Sequence, residues 1–274
     1  MDFSRQQQAA TKFSQFFQTP AAALRIFLQT ACVLFPLSFL LMLAQPSPIP
    51  NSCTQLLLVL TPSYSATEGF LYKFQREKQN APWQRVDDRI PIVVGRSGLG
   101  WGSGLHASTS QGHPIKQEGD GRSPAGAFAL SAAFGFPSAR ELAPLHFPYQ
   151  QITQTLECVD DPASQHYNHL IDRKKAENAD WQSSEKMHNV PVDYRLGVFV
   201  DHNIAPAKPG GGSCIFLHVW GNPVAPTAGC TAMAEAEMQK IITWLRHEAK
   251  PILVQLPQEE YARRQEAWQL PGVK

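Results

Sequence analysis

The sequence has almost no net charge: 24 Lys and Arg stand against 23 Asp and Glu, leaving a formal +1. That balance excludes the basic field with which a nucleic-acid binder gathers phosphates, and no acidic tail offers itself to a cationic partner. Five cysteines are present, yet no two make a Cys-x-x-Cys pair, so neither a zinc ribbon nor a thiol-redox motif is encoded. No segment repeats. Pro and Gly are plentiful instead, at 22 and 18 residues, more than a helical bundle tolerates, because both punctuate turns between short elements. Hydrophobic residues make up 43% of the chain, enough for a sizeable core. The balance favours β structure.

A second scarcity lies at the N-terminus. Between Ile26 and Ala44 there is no charge, and after Arg25 no Lys or Arg occurs until Lys73. About 20 apolar residues span a bilayer, and positive residues stay on its cytoplasmic side. Residues 1–25 therefore read as a cytoplasmic segment, 26–44 as a transmembrane anchor or signal-peptide core, and 45–54 as a Pro-rich linker. The remainder is expected in the periplasm or elsewhere in the envelope outside the cytoplasm, held to the inner membrane or secreted after cleavage. Disulfides persist there. One pair among Cys53, Cys158 and Cys214 is open, and spacing does not choose it.

Residues 55–256 read as one domain, mainly β with short helices. Gln55–Leu60 is an apolar run of strand length, and Gly69–Arg76 alternates as a half-buried strand does. Trp83–Val86, Ile90–Val94 and Ala127–Leu130 continue the pattern, with dense turn signals at residues 95–112 and 119–124. Tyr194–Val200, Cys214–Trp220 and Ile252–Leu256 complete the strands. Residues 138–192 are polar and irregular, and are expected to form a long insertion with short helices over one end of the sheet. Ala234–Glu248 has helical spacing of Met238, Ile241, Ile242 and Leu245. Residues 257–274 read as a charged, peripheral tail.

Chemistry concentrates in one stretch. His218 ends an apolar strand, and Cys230 follows 12 positions later, ahead of the helix. A Cys after Gly229 has room to expose its thiol, a nearby helix N-terminus favours thiolate, and a His within reach completes a nucleophile–base pair. Backbone N–H groups at Gly229 and Cys230 are candidates for an oxyanion hole. Taken alone, a Cys is more often a small buried hydrophobe.

The run GSCIFLHVW (212–220) with PTAGCTAM (226–233) resembles the signature of the L,D-transpeptidase (YkuD-type) catalytic domain, in the subgroup with a His…Thr-x-Gly-Cys pattern. GDGRSPAGAFAL (119–130), VVGRSGLGW (93–101), CVDDPASQHYN (158–168) and DWQSSEKM (180–187) resemble further segments of it. The resemblance covers about residues 55–256. It implies an L,D-transpeptidase-like β-sandwich or barrel with a polar insertion and a helix after the catalytic Cys. It also implies a peptidoglycan-directed enzyme that attacks a stem tetrapeptide, forms a thioester and passes the acyl group to an amine, without metal or organic cofactor. Cys230 matches the nucleophile and His218 the proton acceptor and donor. Thr227, Trp220, Tyr167 and Asn168 are candidates to line a substrate groove, as is Trp181. The family commonly carries an Arg two residues after the Cys, where this chain has Ala232; Arg173, Lys174, Lys175 or Lys186 are candidate replacements for meeting a carboxylate. His202 is a candidate to orient a neighbour. Four roles remain open: transferase, a hydrolytic variant (carboxypeptidase or amidase), a noncatalytic peptidoglycan-binding module, or a cysteine protease of ordinary L,L peptides.

Overall fold

The computed structural model describes residues 47–78, 80–107 and 112–273. The expected cytoplasmic segment 1–25 and apolar segment 26–44 lie outside the described residues. Among the described residues no helix is long and apolar enough to cross a membrane.

The strands, in chain order, are β1 (Gln55–Thr61), β2 (Glu68–Gln75), β3 (Gln84–Val93), β4 (Leu99–Trp101), β5 (Ser123–Gly135) and β6 (Tyr149–Gln151). Then come β7 (Leu156–Val159), β8 (Leu170–Asp172), β9 (Ser184–Lys186), β10 (Leu196–Val200), β11 (Phe216–Val219), β12 (Thr231–Met233) and β13 (Ile252–Pro257). Helix α1 is Glu235–Trp244 and α2 is Gln258–Arg264. The main sheet runs β10-β11-β12-β3-β2-β1-β13-β5, and β5 pairs with β10 to close it into a barrel, with β4 and β6 attached along β5. Closure leaves those eight strands without an open edge.

The apolar runs are explained by where they sit. β1 lies between β2 and β13, paired in parallel with β13 from Leu56↔Ile252 to Leu60↔Leu256, and every residue of both strands is buried. A strand covered on both faces reads as a continuous hydrophobic run, and each buried Leu or Ile contributes about 2 kcal/mol. Trp83–Val86 and Ile90–Val94, expected as two strands, fall mostly in the single strand β3. Its register shifts opposite Leu71 and Lys73, where Asp87 has φ 60° and pairs with Lys73 at 2.6 Å.

Helix α1 ends at Trp244, short of the expected Glu248. Its buried face of Met238, Ile241 and Ile242 belongs to the main core. The expected linker and tail both belong to the fold. Ile49 and Cys53 are buried, and Arg76 donates to the Cys53 and Asn51 carbonyls. At the other end α2 buries Tyr261, while Trp268 and Leu270 enter the core. Charge alternating with apolar residues in residues 257–274 thus marks a packed helix and cap.

The insertion also differs from expectation. It holds a three-stranded sheet, β8-β7-β9, rather than short helices alone. Its centre is an acid, Glu157, which accepts from Arg173 Nε (2.8 Å), Trp181 Nε1 (2.8 Å) and Ser184 Oγ (2.7 Å) and pairs with Lys186 (2.7 Å). β7 turns Glu157 to this ionic centre and Leu156 and Cys158 to an apolar cluster with Phe134 and Phe216 of the barrel, so too few apolar residues fall in the insertion itself to show a period.

Candidate active site

β11 and β12 are parallel neighbours, with His218 opposite Ala232 and Leu217 opposite Thr231. The chain thus brings Cys230, one residue before β12, beside the strand that carries His218. His218 is buried, and its Nδ1 donates to the Val219 carbonyl at 2.7 Å. That bond places the proton on Nδ1 and leaves Nε2 as the basic nitrogen. The imidazole also meets Tyr194 edge to face, with ring centroids 5.6 Å apart.

The turn before Cys230 is tightly braced. Thr227 Oγ1 donates to the Cys230 carbonyl (2.6 Å) and accepts from the Gly229 N–H (3.1 Å). Ser123 Oγ donates to the same carbonyl (2.7 Å) while accepting from the Gly95 N–H (2.8 Å). Below it, the buried Thr231 hydroxyl donates to Gln255 Oε1 on β13 (2.7 Å). Arg122 donates to the carbonyls of Ser97 and Leu99, at 2.6 and 3.0 Å. The Gly-Asp-Gly-Arg-Ser-Pro turn therefore acts as a bracket for the Cys230 backbone.

The sulfur lies in a polar backbone cradle: Phe216 N–H donates to Sγ (3.3 Å), and Sγ–H donates to the Cys214 carbonyl (3.6 Å). Cys214 itself has φ 53°, a conformation that costs a non-glycine residue on the order of 1 kcal/mol. It is held there by a disulfide to Cys158 and by Asn168 Oδ1, which accepts from the Cys214 N–H at 2.9 Å.

Burial pushes the Cys230 thiol up, the Glu185 carboxylate pushes it the same way, and the Phe216 N–H opposes both. The expected helix effect is absent because β12 separates Cys230 from the start of α1. The resting form is a thiol. Burial lowers the affinity of His218 for a proton, so its imidazole is neutral near pH 7 and free to act as a base. Both side chains line one cavity of about 440 Å³, together with Glu185, Asp193, Tyr194, Trp220, Thr227 and Ala232 among others. A second cavity of about 150 Å³ reaches Cys230 past Lys116, Glu118, Asp160 and Glu185. Among the described residues no cluster of His, Cys, Asp or Glu is placed to hold a metal ion.

A family model of the L,D-transpeptidase catalytic domain matches residues 66–254. The chain belongs to that family. No curated protein and no solved structure matches it.

Within an L,D-transpeptidase domain, the residues expected at the groove separate into two groups. Trp220 and Thr227 do line the cavity, although the Thr227 hydroxyl is spent on the turn. Tyr167 and Asn168 do not. Tyr167 is buried and donates to Glu118 Oε2 (2.6 Å), and Asn168 Nδ2 clamps the carbonyls of His202 and Asn203 (2.8 and 3.0 Å). Trp181 is buried on Glu157. Gly229 does not offer the expected free N–H, which donates to Thr227 Oγ1 at 3.1 Å, and a Cβ there would approach the Arg122 carbonyl tightly, at 3.1 Å. His202 is a buried structural group, bonded at Nδ1 to the Ser103 N–H (3.3 Å) and at Nε2 to the Gly211 carbonyl (3.0 Å).

Among the described residues no Lys or Arg lines the larger cavity to stand in for the missing Arg. Arg173 and Lys186 pair with Glu157, Lys175 pairs with Asp172 at 3.7 Å, and none of these, nor Lys174, lines either cavity at Cys230. The sequence reading missed Ser123, Lys116 and Glu185. Each lies in or beside a quoted motif, but only the fold brings it to Cys230.

Proposed function

We propose that the chain is a cysteine acyl-transfer enzyme acting on peptidoglycan stem peptides outside the cytoplasm, with Cys230 as nucleophile and His218 as general base and acid. The observation that carries this reading is a single cavity lined by a bracketed Cys thiol and a neutral His whose Nδ1 is already bound. His218 Nε2 takes the thiol proton as the sulfur attacks the stem amide. The free Cys230 N–H holds the developing oxyanion, and His218 then protonates the leaving amine. An incoming amine or water releases the acyl group from the thioester. The Cys158–Cys214 disulfide supports the oxidising compartment, and residues 26–44 supply the proposed membrane segment.

Mass spectrometry of purified protein with disaccharide-tetrapeptides, beside Cys230→Ala, tests the reading. A Cys230-dependent dimer, or exchange of D-alanine for an added amine, identifies a transferase. Replacement of D-alanine by water identifies the hydrolytic variant. A thioester that never forms on wild-type Cys230 would remove the proposal.

A further inference from the structure

The disulfide and β9 bring a carboxylate to the nucleophile that the chemistry above does not use. Glu185 stands on β9 directly opposite Cys158, whose disulfide partner Cys214 offers its carbonyl to the Cys230 sulfur. Among the described residues Glu185 lines both the larger and the smaller cavity, as do only Ala228 and Cys230. Its Oε1 accepts from the Tyr194 hydroxyl at 2.6 Å, while its Oε2 is shut from solvent and has no hydrogen-bond partner among the described residues. A buried carboxylate oxygen without a donor is costly, and that cost is relieved when a ligand supplies the N–H.

The surrounding charges select the ligand. Glu118 and Asp160 face the smaller cavity and Asp193 the larger one. Among the described residues the one Lys or Arg lining either cavity is Lys116, bound to Asp120 at 2.8 Å, and Lys186, next to Glu185 in sequence, is bound to Glu157 at 2.7 Å. The remaining titratable neighbours are His218, Tyr194 and Cys230 itself. Such a site disfavours a carboxylate and favours a cation.

We propose that Glu185 receives the acyl acceptor as a primary alkylammonium, its Oε2 taking first a hydrogen bond and then a proton from the ammonium nitrogen. This rests on the acyl-enzyme reading above. The ammonium gives one proton to the Glu185 carboxylate, and the freed lone pair attacks the thioester carbonyl. A C–N bond forms and the C–S bond breaks, its electron pair leaving with sulfur. A second proton passes from nitrogen through His218 to the sulfur, and the third remains on the product amide. Glu185 then returns its proton to solvent. Burial raises the Glu185 carboxyl to about 7, against the lowering bond from Tyr194, with Asp160 and Glu118 adding to the rise. A base in that range is about two and a half powers of ten closer to an alkylamine in basicity than an ordinary Glu.

The test uses the full chain and follows partition of one thioester between amine product and hydrolysis product, so it is independent of how fast the thioester forms. In wild type the amine-to-water ratio should fall as pH drops through about 7. Glu185→Gln should lower that ratio at least tenfold at pH 8 and remove the inflection near 7, leaving a fall of about tenfold per pH unit set by the free amine alone. Hydroxylamine, uncharged at pH 7, should compete for the wild-type thioester without that fall, a control that needs no folded variant. An unchanged ratio in Glu185→Gln, or a hydroxylamine profile identical to the alkylamine profile, would overturn the role of Glu185. Hydrolysis alone in wild type overturns it too while leaving the acyl-enzyme intact, and a wild type that never acylates Cys230 overturns both.

Discussion

The barrel and its insertion bury their centres by opposite chemistry. The barrel is apolar at its heart: β1 and β13 lie side by side with Leu56, Leu57, Leu58, Leu253 and Val254 fully inside. The insertion closes on an ion, Glu157, ringed by Arg173, Lys186, Ser184 and Trp181. Burial pushes the Glu157 carboxyl up, but those donors outweigh it and hold it well below the usual carboxylate range. The two regions meet at the site. The barrel presents Cys230 and His218 on adjacent backbone, and the insertion contributes Glu185 through a sheet tied to the barrel by Cys158–Cys214. A hydrophobic frame thus fixes Cys230 and His218, and a polar annex presents Glu185 beside them.

The largest expected effects test the barrel half. Cys230→Ala should cut turnover at least ~10⁴-fold, and His218→Gln should cost ~10²–10⁴-fold, with melting temperatures close to wild type. Steady-state rates beside thermal melts check this, and a Cys230→Ala protein that still turns over substrate would break the assignment. Next comes the tie between the regions. Removing the disulfide by Cys158→Ser with Cys214→Ser opens a loop of sequence separation 56, and the chain-entropy ceiling for that is about 4 kcal/mol. Denaturant midpoints measure it. Activity should fall as well, because Cys214 in its left-handed conformation aims its carbonyl at the Cys230 sulfur.

The ionic centre is third. Glu157→Ala releases the partly exposed Arg173 and Lys186 to solvent but strands the buried Trp181 Nε1–H, and should cost about 1–3 kcal/mol. The loss should localise in the insertion, as faster hydrogen exchange in β7–β9 than in β1 and β13. Equal exchange in both regions would show that they unfold as one unit.

Acid should then separate the two regions by pH. Burial lowers His106 and His202 to about 4 each, from an ordinary value of 6.5. The folded state therefore binds fewer protons than the unfolded chain in that window. Their contribution is fully present above pH 6.5 and is lost as pH falls towards 4. Glu157, depressed from 4.5, keeps its contribution until pH falls below 4.5. Melting curves should decline first between pH 6.5 and 4, with exchange in β7–β9 rising only in stronger acid. An insertion that opens at pH 6 would contradict the sign of the Glu157 shift.

The same contrast explains what the sequence made legible. QLLLVL and ILVQL read correctly as strands because a doubly covered strand is an unbroken apolar run. His218 and Cys230 were singled out by type, by spacing and above all by the family resemblance of the runs that carry them, and the fold places both on one cavity. Glu157 was not, since a charged residue in a polar stretch reads as surface until its four partners, distributed over residues 173–186, converge on it. Trp181, Tyr167 and Asn168 were aromatic or amide residues in a loop-like segment, which resembles a groove lining. The fold turns them inward to hold the annex together. Trp268 and Leu270 were hidden by the charges around them.

Tyr167 gives the smallest and most discriminating of these tests. Its hydroxyl donates to Glu118 Oε2 at 2.6 Å, and Ser213 Oγ donates to the same oxygen at 2.8 Å. Tyr167→Phe therefore leaves the carboxylate one donor and keeps the buried ring, so the cost should be about 1 kcal/mol. If Tyr167 is a strut, KM for the stem peptide stays at its wild-type value and only the melting temperature moves. Trp220→Ala, by contrast, strips the cavity wall itself and should raise KM severalfold. A rise in KM for Tyr167→Phe without loss of stability would place the substrate over the insertion, and would make the annex a binding surface in its own right.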